Sequence, residues 1–237
     1  MRRTLITVVA LAVAVPLAAQ GGMNMDPTKT ITGSGKLPDG WQMRFDPVRA
    51  GMAAPAITQI SFEKMGAGYH FKSGPAAIYY NAKDQATGEY TVSAKFSQAK
   101  SMTHEAYGIF FGGSHLQDSA QKYLYFEVRP MTGGAFIQAR SSDARPPQAR
   151  GAAAATSVFG VWVDDAPGVA KDSPTDGSAT NELAVKVGKD VVQFIVNGKV
   201  FKELPKSQLN GMSTDGQVGL RINHNLDLQV DGFGIRK

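Results

Sequence analysis

Short segments in which apolar and polar residues alternate recur along most of the chain. The clearest example is the stretch 182–204, where three such segments are joined by two tight turns, the second of them at the dipeptide Asn197-Gly198. A two-residue type I′ turn needs positive φ at both central positions, which Asn-Gly tolerates, so this stretch predicts a β-hairpin. The apolar faces of the first two strands in this stretch comprise Leu183, Val185, Val187, Val192, Phe194 and Val196.

The same alternation predicts about thirteen short strands and no helix of useful length. Besides the hairpin, the predicted strands are 41–45, 57–63, 69–72, 77–80, 90–96, 106–111, 122–129, 135–140, 158–163, 216–223 and 226–235. In the last one the apolar phase slips by one residue, which indicates a β-bulge near Asp231-Gly232. The pattern predicts an all-β fold, a two-sheet antiparallel β-sandwich.

Two neighbouring strands carry an aromatic and charged second face. In 122–129 the apolar residues Leu124, Phe126 and Val128 alternate with aromatic and charged residues, and 135–140 repeats the arrangement. Adjacent strands would place the two polar rows side by side, where aromatic rings and polar groups could bind a sugar. The predicted ligand-binding residues are Tyr123, Tyr125, Glu127, Arg129, Gln138 and Arg140 with Phe136, and, on the polar face of a later strand, Arg221 and Asn223. The alternative is a solvated face with ordinary cross-strand ion pairs.

The N-terminal segment has the features of a signal peptide. Arg2 and Arg3 precede an apolar stretch from Leu5 to Leu17, which is followed by small residues of the kind found at signal-peptide cleavage sites. We therefore expect residues 1–21 to be removed by cleavage near residues 19–22. The alternative, an uncleaved single-pass anchor, needs a longer apolar run. A Gly- and Pro-rich lead-in, 22–40, then precedes one domain, 41–237. We expect a periplasmic or extracellular bacterial protein with no membrane span after cleavage.

Composition narrows the range of partners. The 25 basic and 20 acidic residues give a net charge of +5, which falls to +3 without Arg2 and Arg3. The basic residues are scattered, so no nucleic-acid-binding surface is predicted. Because the chain has no cysteine, disulfide bonds and thiol chemistry are excluded, and the core must stabilise the fold.

The segment 141–181 interrupts the strands and raises the question of metal binding. It contains Asp164, Asp165, Asp172 and Asp176, which could supply oxygen ligands to Ca²⁺. Their spacing does not match a calcium loop, so a solvated acidic loop is favoured and we expect no cofactor or metal. Trp162 is either a core residue or a sugar-stacking platform, and the core interpretation is favoured. The four histidines, His70, His104, His115 and His224, show no metal-ligand spacing.

Several strand motifs together resemble the concanavalin A-like lectin and glucanase superfamily. They are G-Y-x-F-x-S-G-P (68–75), a strand ending in Gly-Gly (108–113), Y-x-Y-F-E-V-R (123–129), N-x-L-x-V-x-V (181–187), V-x-F-x-V-N-G-K-V (192–200) and G-x-V-G-L-R (216–221). The nearest branch resembles the secreted bacterial domain often named a 3-keto-disaccharide hydrolase domain. This resemblance implies a jelly-roll sandwich with a concave face that meets sugars.

Catalytic residues are not identified by this resemblance. The glucanases of the superfamily carry an E-x-D-x-x-E strand motif, and this chain has no such spacing. Glu127 is predicted to stand with tyrosines and an arginine, without a second carboxylate. The leading hypothesis is a carbohydrate-recognising protein. A glycoside hydrolase or lyase acting on 3-keto sugars and a protein-interaction module of the cell envelope are the alternatives.

Overall fold

Two antiparallel sheets account for most of the structure, a computed structural model that describes residues 32–48, 51, 53–99, 105–141 and 160–237. Fifteen strands lie in these ranges, together with three short 3-10 turns. The strands are β1 (Trp41–Phe45), β2 (Ile60–Met65), β3 (Gly68–Ser73), β4 (Ala77–Asn81), β5 (Gln85–Ala86), β6 (Tyr90–Gln98), β7 (Tyr107–Ser114), β8 (Lys122–Arg129), β9 (Gly134–Ser141), β10 (Val161–Val163), β11 (Ala179–Val187), β12 (Val191–Val196), β13 (Lys199–Pro205), β14 (Gly216–Ile222) and β15 (Asp227–Arg236).

The strand order differs from the order along the chain, as in a jelly roll. The first sheet runs β1-β4-β14-β7-β8-β9-β10, with β5 paired to β14, and the second runs β13-β12-β11-β6-β15-β3-β2. β14, which comes near the end of the chain, lies between β4 and β7 in the middle of the first sheet. The predicted two-sheet antiparallel sandwich is confirmed.

The core lies between the inner faces of the two sheets. Alternate residues of every long strand point into it, as the period of two requires. From the first sheet Leu124, Phe126 and Val128 are fully buried, and from the second sheet Val185 and Phe194 pack opposite them. Burying a side chain of this size contributes about 1.5–3 kcal/mol, so these rows stabilise a fold that has no disulfide.

Two local predictions are confirmed by the backbone. Asn197 and Gly198 both have positive φ, 49° and 76°, as a type I′ turn requires. Along β15 the register against β6 shifts between Asp231 and Gly234, which is the predicted bulge. The short strand β5 was not predicted, and residues 57–59 form a 3-10 turn rather than the start of β2.

The N-terminal prediction lies outside the described residues. The signal peptide, 1–21, and most of the lead-in belong to the segment 1–31, so the structure does not test them. The part of the chain that the structure describes contains no helix long and apolar enough to cross a bilayer.

Candidate functional site

One row of residues crosses the outer face of the first sheet, on the side away from the core. The registers align Arg221 on β14, Gly108 on β7, Glu127 on β8, Phe136 on β9 and Trp162 on β10. A Cβ atom on Gly108 would lie 1.9 Å from the carbonyl oxygen of Phe126, so a larger residue does not fit there. Because Gly108 has no side chain, Arg221 and Glu127 meet across it.

Arg221 and Glu127 form a buried pair that is not hydrogen-bonded. Arg221 Nε lies 3.6 Å from Glu127 Oε1, and their side chains are 5% and 6% exposed. This separation exceeds the usual N–H···O range. Among the described residues, neither atom has a hydrogen-bond partner. The pair therefore leaves one buried donor and one buried acceptor facing each other.

Asp46 holds the other side of the Arg221 guanidinium. Arg221 Nη1 and Nη2 donate to Asp46 Oδ1 and Oδ2 at 2.9 and 2.7 Å, and Arg140 Nη2 donates to Oδ2 at 2.8 Å. Asp46 follows β1 directly, and its backbone N–H donates to the carbonyl of Ala76. The bidentate geometry fixes the plane of Arg221, so its Nε is held toward Glu127.

The two carboxyl groups have opposite pKa shifts. Burial raises the pKa of Glu127 to about 7, with Asp46 and Glu105 adding to the rise and Arg221 opposing it. Burial also acts to raise the pKa of Asp46, but Arg221 and Arg140 outweigh it and hold that pKa below its usual value. Near neutral pH, Asp46 is therefore ionised while Glu127 exchanges its proton.

Aromatic side chains pack beside this pair on the same face. Tyr125 lies under the Arg221 guanidinium, 5.7 Å from ring centroid to Cζ, and its hydroxyl donates to Gln138 Oε1 at 2.6 Å. Tyr125 belongs to an apolar cluster separate from the main core, which also includes Ile78, Tyr80, Phe110, Leu116 and Tyr123. The outer face of this sheet is therefore partly a packed surface.

Trp162 lies on this outer face and not in the core, so the favoured prediction for it was wrong. It pairs with Phe136 across β9 and β10, and the ring centroids are 3.8 Å apart in an edge contact. The guanidinium carbon of Arg129 lies 4.3 Å from the Trp162 ring centroid and 4.9 Å from that of Phe136. Arg129 thus points to the aromatic edge of the face, while Arg221 occupies its centre.

The structure brings together most of the predicted ligand-binding residues. Tyr125, Glu127, Gln138 and Arg221 are each less than a tenth exposed, which does not match the alternative of a solvated face. Tyr123 is also buried, and Arg129 and Arg140 are half-buried. Asn223 lies just beyond the end of β14, and its Oδ1 is buried without a hydrogen-bond partner within the described ranges.

The aspartates considered for calcium have separate partners. Asp164 accepts from Trp162 Nε1, Asp165 pairs with Lys171, Asp172 accepts from Gln98 and Asp176 accepts from Ser178. The described part of the chain holds no group of three or more His, Asp or Glu side chains arranged for a metal.

The described histidines each face a carboxylate. His70 contacts Asp227 at 2.7 Å, His115 contacts Asp118 at 3.2 Å and His224 contacts Glu105 at 3.5 Å. His104 lies outside the described residues.

Solved structures share this architecture. The CBM66 carbohydrate-binding module from Bacillus subtilis superposes with a TM-score of 0.54 and 8% identity, covering 84% of this chain and 96% of that chain. A Bacillus subtilis protein of unknown function with a galectin-like fold superposes with a TM-score of 0.53 and 13% identity, covering 83% and 88%. The predicted jelly-roll β-sandwich is thus a fold that this chain shares with both structures. No protein-family profile matches the sequence, and no curated protein does so.

The sequence did not predict Asp46 as a residue of this site. Asp46 supplies a second carboxylate near Glu127. The expectation that Glu127 stands without one is corrected, because both Asp46 and Glu105 lie close enough to raise its pKa. Asp46 precedes Pro47 at the point where the alternation of strand β1 ends, and an Asp-Pro dipeptide in this position indicates a turn. Its role arises because β1 and β14 are both neighbours of β4, a proximity that spacing does not reveal.

Proposed function

We propose that the outer face of the first sheet binds carbohydrate, with the Arg221–Glu127 pair as its polar centre. The observation that carries this proposal is the buried donor and acceptor, 3.6 Å apart, without hydrogen-bond partners in the described part of the chain. Leaving such groups unpaired costs about 1–3 kcal/mol each, and more for charged groups. A ligand group that pairs with both would recover that free energy.

A sugar hydroxyl has the required chemistry. It accepts a hydrogen bond from Arg221 Nε and donates its own hydrogen to Glu127 Oε1. The rings of Tyr125, Phe136 and Trp162 lie beside this position and offer aromatic surface to the C–H groups of a sugar. Charged groups and aromatic rings on rigid strands are typical of a small-molecule site.

The shared fold adds a supporting observation. One of the superposed structures is a carbohydrate-binding module, and the same two-sheet architecture accommodates its ligand class. At 8% identity this likeness does not carry residue roles, so the site assignment depends on the Arg221–Glu127 geometry.

A glycan array followed by calorimetry tests the proposal. We expect the wild-type chain to bind at least one saccharide, and Glu127→Leu to weaken that binding by roughly 10–100-fold, the value of one hydrogen bond to a charged group. Lys186→Ala, an exposed change on the opposite sheet, is the matched control and should not alter binding. Absence of binding to every glycan, or equal binding by Glu127→Leu, would contradict the proposal.

A second candidate function is hydrolysis or elimination on a 3-keto sugar. The specific observation in its favour is Glu127, whose pKa of about 7 suits a general acid or base at neutral pH. Asp46 beside it has a lowered pKa and is ionised, so the two neighbouring carboxyl groups differ in protonation, as the acid and base of a catalytic pair do. Release of free sugar from a 3-keto-disaccharide, lost in Glu127→Gln while binding persists, would establish this function. Binding without release would restrict the chain to recognition.

We also propose that the mature chain acts outside the bacterial cytoplasm. The support is the sequence of residues 1–21, with its basic start and short apolar stretch. N-terminal sequencing of the protein from periplasmic and culture fractions should find a start near residues 20–23. A full-length protein in the cytosol would contradict the proposal.

A further inference from the structure

A separate pocket of about 400 Å³ opens at the end of β7, away from the Arg221–Glu127 pair. Its walls include Tyr80, Ser114, His115, Gln117 and Gln217. This volume lies in the range of small-molecule sites. Gly113 and Gly216 also line it, so backbone replaces side chains along part of the wall.

The loop that forms one wall is fixed to the neighbouring strands. Arg44 on β1 donates to the backbone carbonyls of Leu116 and Asp118. Gln117 Nε2 donates to the backbone carbonyl of Met43 at 3.2 Å. Leu116 is itself buried in the outer apolar cluster. The pocket is therefore preformed, which lowers the entropic cost of binding.

Two glutamine side chains present oriented acceptors. Gln117 Nε2 donates to Tyr80 Oη at 2.7 Å as well as to Met43. Gln217 Nε2 donates to the backbone carbonyls of Asn81 and Asp84, the latter at 2.9 Å, and the residue is 9% exposed. In both side chains the nitrogen is occupied, and the Oε1 atom has no hydrogen-bond partner among the described residues. Each of these oxygens can therefore accept a hydrogen bond from a ligand that enters the pocket.

The charge of the pocket favours a neutral ligand. His115 Nδ1 lies 3.2 Å from Asp118 Oδ2, and Asp118 Oδ1 accepts from the backbone N–H of Ala120 at 2.7 Å. The acidic group thus already has partners. No lysine or arginine stands among the described residues that line this pocket, so it does not select an anion.

We propose that this pocket is a second binding site, which takes the hydroxyl groups of a neutral sugar or polyol through Gln117 Oε1 and Gln217 Oε1. Gln217 and Arg221 point from the same face of β14, four residues or about 13 Å apart. The ring of Phe110 lies over Gly219 between them and separates the two sites. The pocket therefore binds independently of Glu127.

Nuclear magnetic resonance of the side-chain amides tests this directly. The ¹⁵N-labelled mature chain would be titrated with methyl glucoside, methyl galactoside, methyl mannoside, fructose and sorbitol. We expect at least one of them to shift the Nε2 signals of both Gln117 and Gln217 saturably. The exposed Gln85 lines the pocket, so Gln85→Trp should fill it and abolish the shifts, whereas Lys186→Trp should preserve them.

The outcomes separate the two sites. Shifts that persist in Glu127→Leu support an independent pocket, whether or not the Arg221–Glu127 pair binds sugar. The proposal is overturned if none of the five compounds shifts the two amides, or if the shifts survive Gln85→Trp. It is also overturned if glucosamine shifts them at much lower concentration than methyl glucoside, because that would identify a cation site.

Discussion

Two buried polar clusters of this sandwich differ in how completely their hydrogen bonds are made. Asn181, on the inner face of β11, is fully buried and has a partner for each side-chain atom. Its Nδ2 donates to Tyr107 Oη and the Ala170 carbonyl, and its Oδ1 accepts from the Ala170 N–H and from Asn197 Nδ2. The Arg221–Glu127 pair is equally buried, yet Nε and Oε1 have no hydrogen-bond partners within the described residues.

This difference distinguishes a structural cluster from a candidate binding centre. The Asn181 cluster ties the segment 166–170 to the hairpin turn, and no polar atom of Asn181 remains for a ligand. Around Arg221, Asp46 satisfies one side of the guanidinium, and the other side is left open toward Glu127. A buried group kept unpaired lowers stability, so its retention points to function.

Replacing the central cation should have the largest effect. Arg221→Met leaves the carboxylates of Asp46 and Glu127 without their shared partner, and we expect a loss of about 3–5 kcal/mol in the free energy of unfolding. Urea unfolding at pH 8 measures it. Lys186→Met, at an exposed position, is the control and should change stability by less than about 0.5 kcal/mol. A loss below about 1 kcal/mol for Arg221→Met would show that Asp46 does not depend on it.

Glu127→Gln should change the pH dependence of stability. Because the folded pKa of Glu127 is raised to about 7 from 4.5, the folded state binds a proton more tightly than the unfolded state. Wild-type stability should therefore fall as pH rises from about 4.5 to above 7, by about 3 kcal/mol from this group. Glu127→Gln should lack this fall and be the more stable protein at pH 8.

Protonation of Asp46 should lower stability, whereas protonation of Glu127 raises it, and Asp46 is protonated at a lower pH. Its folded pKa lies below 3.8, so its contribution to stability is present above that value and is lost as pH falls through the folded pKa. Unfolding of wild type and Glu127→Gln between pH 4.5 and 8 therefore isolates Glu127. Parallel stability curves for the two proteins over this window would contradict the assigned burial of Glu127.

Disrupting the satisfied cluster should lower stability without altering binding. Asn181→Ala removes four hydrogen bonds and leaves Tyr107 and the Ala170 backbone unpaired, so we expect a loss of about 2 kcal/mol. The saccharide affinity should stay unchanged, because Asn181 lies on the core side of the other sheet. Calorimetric titration beside thermal unfolding measures both quantities, and a weaker affinity would mean that the two clusters are coupled.

The smallest change is expected at the hairpin turn. Asn197→Gly keeps positive φ available but removes the side-chain hydrogen bonds with Glu182, Gly168 and Asn181, so we expect a loss of about 1 kcal/mol. Asn197→Ala removes the same bonds and adds the cost of a left-handed backbone, so it should be less stable than Asn197→Gly. Thermal unfolding of the two variants side by side gives the difference, and equal stability would show that φ at this position carries no strain.

Strand-level features were accessible from the sequence because they depend on local periodicity. The bounds of β1 and β8 agree with the alternation of Trp41–Phe45 and Lys122–Arg129, and the polar-aromatic row lies on the face opposite the core as expected. The β8–β9 pairing follows from the short connection between the strands. Such features need only the period of two and turn chemistry.

The composition of the site was less accessible because it depends on strand order. Asp46, Gly108 and Arg221 come from three distant parts of the chain and meet because β14 inserts between β4 and β7. Trp162 was assigned to the core from its apolar neighbours, although the register with Phe136 turns it outward. A one-residue change in register reverses the face of a strand residue, and a three-residue strand has too little pattern to fix it.

The most direct test of the central claim is a crystal structure with a bound saccharide identified by the glycan array. We predict one sugar hydroxyl oxygen within hydrogen-bond distance of both Arg221 Nε and Glu127 Oε1, with the Asp46–Arg221 contacts preserved. A saccharide bound elsewhere on the molecule, with the gap between Nε and Oε1 unchanged or filled by water, would contradict the claim.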